Sequence, residues 1–125
     1  MPSYQQKVDH LQENCPVRAA LDVVRGRWKP AILFELKDGV KRFSEISNAL
    51  KGAAPQVLTM QLRQLEADGV ISRAVFAEVP PRVEYQLTAV GEELRSVMDQ
   101  LDSWGTDYLR RRRHSQKGEQ ATILR

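Results

Sequence analysis

Cysteine is almost absent from this chain of 125 residues, in which Cys15 is the only one. A single thiol excludes an intramolecular disulfide. One cysteine and two histidines, His10 and His114, are too few for the four ligands of a closed structural zinc site. We therefore expect no metal and no cofactor, and a fold that depends on its apolar core.

Long apolar runs are also missing. No run approaches the ~20 residues of a membrane-spanning helix, and the opening segment Met1–His10 is polar, without the apolar stretch of a signal peptide. With 42% apolar and 28% charged residues, the chain has the composition of a globular protein. We therefore expect one cytoplasmic domain with a modest core and no contact with membranes.

The residue patterns of an enzyme are absent as well. The sequence contains no Gly-rich phosphate loop and no pair of carboxylates placed for acid–base chemistry. The one histidine close to Cys15 in sequence is His10, on a polar arm. We therefore predict no catalytic residues and a protein that acts by binding.

Positive charge exceeds negative charge only slightly, with a formal net charge of +3. This value alone is weak support for a nucleic-acid partner. The distribution is more informative, because acidic residues are concentrated in Gly91–Asp102 while basic residues occupy the middle of the chain. We expect one acidic surface and one basic surface, the latter formed by Lys37, Lys41, Arg42, Lys51, Arg63, Arg73 and Arg82.

Apolar residues at helical spacing predict two helices at the start of the fold. The first begins at Cys15-Pro16, because proline is favoured at the first helical position, and ends near Gly26. The second starts near Pro30 and ends at the turn residues Asp38-Gly39. It is apolar nearly all round, so we expect it at the centre of the core.

Two further helices follow, separated by a tight turn of small residues. The third spans about Arg42–Leu50, with Ser44 placed to bond a free backbone N–H near its start. The fourth opens with Pro55 and ends at Asp68-Gly69, a glycine stop. Its inner face carries, at helical spacing, Leu58, Leu62 and Leu65.

A hairpin and a long helix complete the domain. Ile71–Phe76 and Val83–Leu87 alternate in side-chain pattern, which predicts two half-buried strands. Their connection contains Pro80-Pro81-Arg82, and we expect a stiff tip that holds the arginine out from the body. Thr88 then caps the last helix.

The chain is predicted to consist of a folded domain with a separate segment at each end. Residues 1–14 are predicted to be an N-terminal arm, residues 15–110 the folded domain, and residues 111–125 a basic, flexible tail. The tail follows the charged run Arg110–Arg113, at which we expect the last helix to fray.

The order of these elements is that of a winged helix-turn-helix, in the α+β class and mostly helical. A major groove admits one helix, whose amide and guanidinium groups can read base edges. The fourth helix carries no acidic residue from Pro55 to Leu65, which favours contact with DNA. The alternative is that its outer face is only the solvated side of an amphipathic helix. The predicted base-reading residues are Gln56, Thr59, Met60, Arg63 and Gln64.

Other residues are predicted to contact the DNA backbone. Arg82 suits a minor-groove or phosphate contact, and Arg42, Ser44 and Lys51 suit phosphate contacts around the third helix. The alternative for each is a solubilising surface residue. Winged helices also serve as protein–protein interaction modules, and the salt dependence of binding separates that function from DNA binding.

The last predicted helix carries an apolar stripe from Val90 to Tyr108, over about five turns. So small a domain cannot cover that length with its own core, and a long exposed apolar strip marks an interface. A two-fold dimer would place its two reading helices roughly 34 Å apart. The alternative is that the first helix of the same chain covers the stripe.

From Cys15 to Trp104 the sequence resembles the HxlR family of bacterial regulators, relatives of the MarR group. The matching motifs are Cys15-Pro16-Val17, Gly26-Arg27-Trp28, Arg42-Phe43-Ser44-Glu45-Ile46, Leu58–Gly69, Pro80-Pro81-Arg82-Val83-Glu84-Tyr85, Leu87-Thr88 and Gly91. The resemblance implies a transcription regulator, a repressor by expectation, that binds an inverted-repeat operator as a homodimer built from the first and last helices. The expected interface residues are Val17, Leu21, Leu94, Val97, Leu101, Trp104 and Tyr108.

The sequence departs from the family pattern at three positions. Ala54 replaces a serine or threonine before the recognition helix, which removes a side-chain cap that contributes ~1 kcal/mol. Gln56 replaces a basic residue, and Arg25 replaces a common glycine in the turn before Trp28. We expect weaker phosphate binding at the helix start and an amide there that reads a base.

Cys15 lies at the predicted start of the first helix, where a helix N-terminus favours the reactive thiolate. Some members of the family that the chain resembles sense quinones, aldehydes or hypochlorite through this cysteine. The resemblance makes Cys15 a candidate redox sensor and an electrophile or small molecule a candidate effector. The alternative is an inert cysteine that fills an apolar niche near the dimer interface.

Overall fold

The computed structural model describes the backbone of residues 15–123 and the side chains of residues 15–116. Within them the chain forms five α-helices and a three-stranded antiparallel sheet, which confirms the predicted α+β, mostly helical class. The predicted arm, residues 1–14, lies outside this description. In chain order the elements are α1 (Pro16–Val24), α2 (Lys29–Glu35), a 3-10 turn (Leu36–Asp38), β1 (Lys41–Arg42), α3 (Phe43–Ala49), α4 (Pro55–Ala67), β2 (Ile71–Phe76), β3 (Arg82–Leu87) and α5 (Ala89–Ile123).

Helices α1 and α2 both have a proline in the first turn. Cys15 is the N-cap of α1 and Pro16 its first residue, while Pro30 lies in the first turn of α2. The turn between the helices depends on Gly26, whose φ of 156° is rare for any residue with a side chain. Arg25, at φ −73°, is unstrained, so the arginine is compatible with this turn.

Helix α2 and the 3-10 turn supply the centre of the core. Ile32, Leu33 and Leu36 are buried there, as the sequence predicts. The predicted central position does not extend to Phe34, whose side chain is 61% exposed. One short helix cannot turn every face toward a single core, and Phe34 lies on the outer side, under the ammonium group of Lys37.

Helices α3 and α4 form the helix-turn-helix. The cap of α3 differs from the prediction, because the carboxylate of Glu45 rather than the hydroxyl of Ser44 satisfies the backbone at its start. The Arg42 N–H donates to Glu45 Oε1 at 3.0 Å. Ser44 lies inside the first turn, one residue past the helix start, whereas a capping hydroxyl belongs at the N-cap position. The inward-facing side chains of the two helices are Ile46, Leu50, Leu58, Leu62 and Leu65.

The sheet has the strand order β1-β3-β2 with antiparallel pairing. The hairpin of β2 and β3 is as predicted. Strand β1 is not predicted, because its two residues are too few to show the alternating pattern of a strand. Burial decreases along β2 from Ile71, which is buried, to Val75, which is 59% exposed, so the predicted alternation does not hold there. Tyr85 on β3 is buried, and burial raises the pKa of its phenol while the charge of Arg73 opposes that rise.

Thr88 joins the start of α5 to the end of α4. Its hydroxyl accepts the Gly91 N–H at 3.1 Å, which confirms the predicted cap, and donates to the Gly69 carbonyl at 2.6 Å. Gly91 is buried, and a methyl group added there would overlap the carbonyl oxygen of Val70. The first turn of α5 is therefore closely packed on the turn that ends α4.

Helix α5 is 35 residues long, or about 52 Å at 1.5 Å per residue. The sequence predicts fraying after Arg110, whereas the helix continues through Arg110–Arg113 to Ile123. Arginine is a strong helix former, and Arg110 pairs with Asp107 on the preceding turn at 3.6 Å. No helix in residues 15–123 combines the length and the apolar character needed to cross a membrane.

Candidate nucleic-acid interface

The outer face of α4 brings together the five side chains that the sequence predicts to read bases. A shallow depression on this face is lined by Pro55, Gln56, Thr59, Met60, Arg63, Gln64 and Ala67. None of them is acidic, and the nearest acid on the helix, Glu66, pairs with Arg73 at 3.4 Å. The face therefore presents amides, a hydroxyl and one guanidinium, the groups that match base edges in a major groove.

Behind this face, one polar side chain lies among leucines. Gln61 is 7% exposed, and its Oε1 accepts the backbone N–H of Trp28 at 3.0 Å. Gly26 permits this approach, because a Cβ there would lie 3.1 Å from Gln61 Oε1. The bond joins the recognition helix to the start of α2. Gln61 is not among the functional residues predicted from the sequence, although a polar residue between Leu58 and Leu62 on an apolar face is a signal for such a link.

The start of α4 has no side-chain cap. Ala54 is the N-cap residue, and it offers no hydrogen-bond acceptor to the free N–H groups of the first turn. Pro55 removes one of those donors. The remaining N–H groups lie at the edge of the predicted DNA-binding face, where they can donate hydrogen bonds to a DNA phosphate.

Ala54→Ser is expected to stabilise the free protein by about 1 kcal/mol, because the hydroxyl accepts an N–H of the first turn of α4. Urea denaturation followed by circular dichroism measures the change. Ala67→Ser is the matched control, since it adds the same hydroxyl at the last residue of α4, away from the free N–H groups. Equal stability of Ala54→Ser and the parent protein would contradict the assignment of an uncapped start.

The predicted phosphate contacts around α3 are exposed. Arg42, Ser44 and Lys51 all have accessible side chains, and Arg42 belongs to β1, where it lies opposite Glu84 in the sheet. Their positions leave the charged and hydroxyl groups free to approach a DNA backbone beside α4.

The wing departs from the prediction at Arg82. Instead of projecting from the tip, its guanidinium pairs with Glu78 at 3.2 Å and Glu84 at 3.4 Å, and lies 4.2 Å from the centroid of the Phe76 ring. The strand register explains this placement, because Phe76 lies directly opposite Arg82 and Glu84 follows two residues later on the same face. Val79 is fully exposed in the loop between the strands.

An apolar strip on α5 remains exposed. Helix α1 of the same chain does not cover it, and its own Val17 and Leu21 are 66% and 50% exposed. Leu94 differs from the other predicted interface residues, because it packs against the core of its own chain. The rings of Trp104 and Tyr108 stack at 5.2 Å. The strip consists of Val97, Leu101, Trp104 and Tyr108.

A helical core, a helix-turn-helix whose second helix presents an acid-free polar face, and a β-hairpin define a winged helix-turn-helix DNA-binding protein. The chain belongs to the HxlR-like helix-turn-helix family, whose model matches residues 23–113. Its relatives are transcriptional regulators, so this protein is a DNA-binding transcriptional regulator and not an enzyme.

Relatives and solved structures agree with this assignment. YdeP of Bacillus subtilis, an HTH-type transcriptional regulator, is 46% identical over 96 residues, which cover 77% of this chain and 75% of YdeP. The crystal structure of YtcD, also a Bacillus subtilis protein, has a TM-score of 0.71 at 45% identity and covers 75% of this chain and 96% of its own. The redox regulator HypR in its reduced form has a TM-score of 0.71 at 42% identity, and the match covers 74% of this chain and 91% of HypR.

Proposed function

We propose that this protein is a homodimeric transcriptional regulator that binds an inverted-repeat operator in double-stranded DNA. The observation that carries the proposal is the acid-free outer face of α4, on which Gln56, Arg63 and Gln64 are exposed together. A glutamine amide pairs with adenine and a guanidinium with guanine in the major groove. Thr59 and Met60 complete the face, and Met60 suits contact with a thymine methyl group.

Residues around α4 hold it in register on the duplex. Arg42, Ser44 and Lys51 contact phosphates beside α3. Arg82 contributes less to affinity than the sequence suggests, because a phosphate must displace Glu78 and Glu84 to reach its guanidinium. Its main role is to hold the wing in shape.

The dimer forms through the apolar strip of α5 and the exposed side of α1. Both are apolar surfaces that residues 15–116 of their own chain leave exposed. A two-fold axis through this interface gives two copies of α4, one for each half of an inverted repeat, roughly 34 Å apart.

Trp104→Asp is expected to shift the protein from dimer to monomer at micromolar concentration, because it buries a charge in the centre of the apolar strip. Sedimentation velocity measures the shift. Leu109→Asp is the matched control, since Leu109 is similarly exposed on α5 but belongs to a different face of the helix. A parent protein that sediments as a monomer at this concentration contradicts the dimer.

Binding to duplex DNA is tested by fluorescence anisotropy at increasing salt. A protein that contacts six or more phosphates loses affinity by about 1,000-fold between 50 and 200 mM salt. A salt-independent or undetectable affinity would instead favour a protein–protein interaction module, the other function known for winged helices.

Cys15 supports a redox or electrophile response in addition. It is the partly exposed N-cap of α1, two residues before Val17 on the proposed dimer surface. The similar protein HypR is a redox regulator whose structure is known in reduced and oxidised forms. A substituent on Cys15 changes the dimer geometry and with it the spacing of the two recognition helices.

Alkylation of Cys15 by N-ethylmaleimide is expected to weaken operator binding by about 5-fold or more, the lower end of typical coupling. Cys15→Ser retains the affinity of the untreated protein and abolishes the response. Gel-shift titrations of both proteins with and without the reagent measure the effect. An unchanged response in Cys15→Ser would show that the thiol is structural.

A further inference from the structure

Two segments of the chain contain no acidic residue, and the fold brings them together. One is residues 23–34, which include the turn between α1 and α2. The other is residues 46–65, which include the turn before α4 and most of α4 itself. The DNA contacts proposed above use only the second segment. The first carries two exposed arginines, Arg25 and Arg27, that have no role in those contacts.

The turn between α1 and α2, residues 25–28, packs directly against the helix-turn-helix. A Cβ added at Gly26 would lie 3.1 Å from Gln61 Oε1 on the inner face of α4, and the same oxygen accepts the Trp28 N–H. A Cβ added at Gly52, in the turn before α4, would lie 3.7 Å from the ring of Trp28. These contacts fix the backbone of residues 25–28 relative to α4 and to the turn before it.

The side chain of Arg27 lies on this packed surface. Its guanidinium carbon is 5.3 Å from the centroid of the Trp28 ring, the same ring that borders Gly52. A cation–π contact holds an arginine in place without neutralising its charge. Lys51, a predicted phosphate contact, precedes Gly52 in the chain, so Trp28 connects Arg27 to the turn that carries Lys51.

The positive charge of this turn is unbalanced. Neither Arg25 nor Arg27 forms an ion pair within residues 15–116. Lys29 adds a third positive charge, and its side chain is buried with its methylene groups against Gly26. A surface region with charges of one sign attracts a partner of the opposite sign.

We propose that residues 25–28 form a second phosphate-binding element, in which Arg25 and Arg27 contact the DNA backbone beside the groove that α4 reads. The inference rests on the proposed function, since it requires that α4 bind duplex DNA. A guanidinium group suits a phosphate because it donates two parallel hydrogen bonds. The element supplies positive charge next to a helix start at which Ala54 gives no cap and Gln56 gives no charge.

The double variant Arg25→Gln, Arg27→Gln of the full chain tests the proposal. Fluorescence anisotropy on a duplex of random sequence is sufficient, because contacts to the DNA backbone carry no sequence information. Each phosphate contact contributes about 0.9 to the slope of log Kd against log salt concentration, so this slope should fall by about 2 for each protomer on the DNA. Affinity at about 100 mM salt should fall by about 10-fold or more.

Two control proteins separate phosphate contact from other effects. The variant Arg95→Gln, Arg110→Gln removes the same net charge from α5, where both arginines are already ion-paired. It should retain the slope and an affinity within about two-fold of the parent protein. The variant Arg25→Lys, Arg27→Lys keeps both charges and should retain most of the slope, because a lysine still neutralises a phosphate.

Four outcomes overturn the inference. If the parent protein binds the duplex and the glutamine variant keeps its slope, this inference fails and the proposed function stands. An equal loss in the α5 variant means that only net charge matters, and an equal loss in the lysine variant means that the arginines are needed for the structure of the turn. If the parent protein does not bind the duplex at low salt, this inference and the proposed function fail together.

Discussion

Gly91→Ala is expected to destabilise the fold by about 3 kcal/mol, at the upper end of the usual cost of overpacking. The added methyl group overlaps the carbonyl oxygen of Val70, which is backbone and cannot rotate away. The first turn of α5 must then move off the turn that ends α4, which strains the hydrogen bonds of Thr88 to Gly69 and to residue 91 itself. Thermal unfolding should show a loss of roughly 10 °C in Tm.

The same helix offers a matched control. Gly105 has nothing within 4 Å of the position of an added Cβ. Gly105→Ala is therefore expected to stabilise α5 by about 0.5–1 kcal/mol, because alanine loses less backbone entropy than glycine in a helix. If Gly91→Ala retains or raises the Tm of the parent protein, the close packing assigned to Gly91 is wrong.

Arg63→Ala is expected to weaken operator binding by about 1–3 kcal/mol, which is roughly 5-fold to 150-fold. The guanidinium lies in the middle of the outer face of α4 and belongs to no ion pair within residues 15–116. A bidentate contact with guanine gives both affinity and selectivity, so the loss should be larger on the operator than on unrelated DNA.

The control for Arg63 is Arg95→Ala, which removes the same charge from α5, where the guanidinium pairs with Glu92. This variant should retain operator affinity within about two-fold, as expected for a charge distant from DNA. Anisotropy titrations on operator and on scrambled duplex measure both variants. An equal loss on the two duplexes would reassign Arg63 from base reading to phosphate contact.

Most of the scaffold could be predicted from the sequence. The prolines at the starts of α1, α2 and α4, and the glycines after α1 and α4, delimit helices because each has a local conformational cause. The spacing of Leu58, Leu62 and Leu65 identified the inner face of α4, and therefore its outer face. These features depend on neighbours within a few positions along the chain.

Features that depend on contacts between distant segments could not be predicted in the same way. The pairing of Arg82 with Glu78 and Glu84 follows from the hairpin register, which a proline-containing connection leaves open. The link between Gln61 and Trp28 joins residues 33 positions apart. Helix α5 is longer than the sequence predicts, because arginine has a high helix propensity and the charged run Arg110–Arg113 does not end the helix.

The pairing of Arg82 with Glu78 and Glu84 changes which residues are expected to contribute to DNA affinity. An uncapped helix start at Ala54, a glutamine at position 56 and a paired Arg82 leave few free positive charges on α4 and the wing of one protomer. Under the proposed function, we therefore expect specificity to depend on Arg63 and the amides of α4, and strength of binding to depend on presenting two copies of α4 at once.

The central claim is that two copies of α4 read the two halves of an inverted repeat. Selection of bound sequences from a random duplex pool, followed by hydroxyl-radical footprinting of the selected site, tests it most directly. The predicted result is an inverted repeat with two protected half-sites whose centres are about 10–10.5 base pairs, or a multiple, apart on one face of the DNA. A pool without a common sequence, or protection of a single half-site, would contradict it.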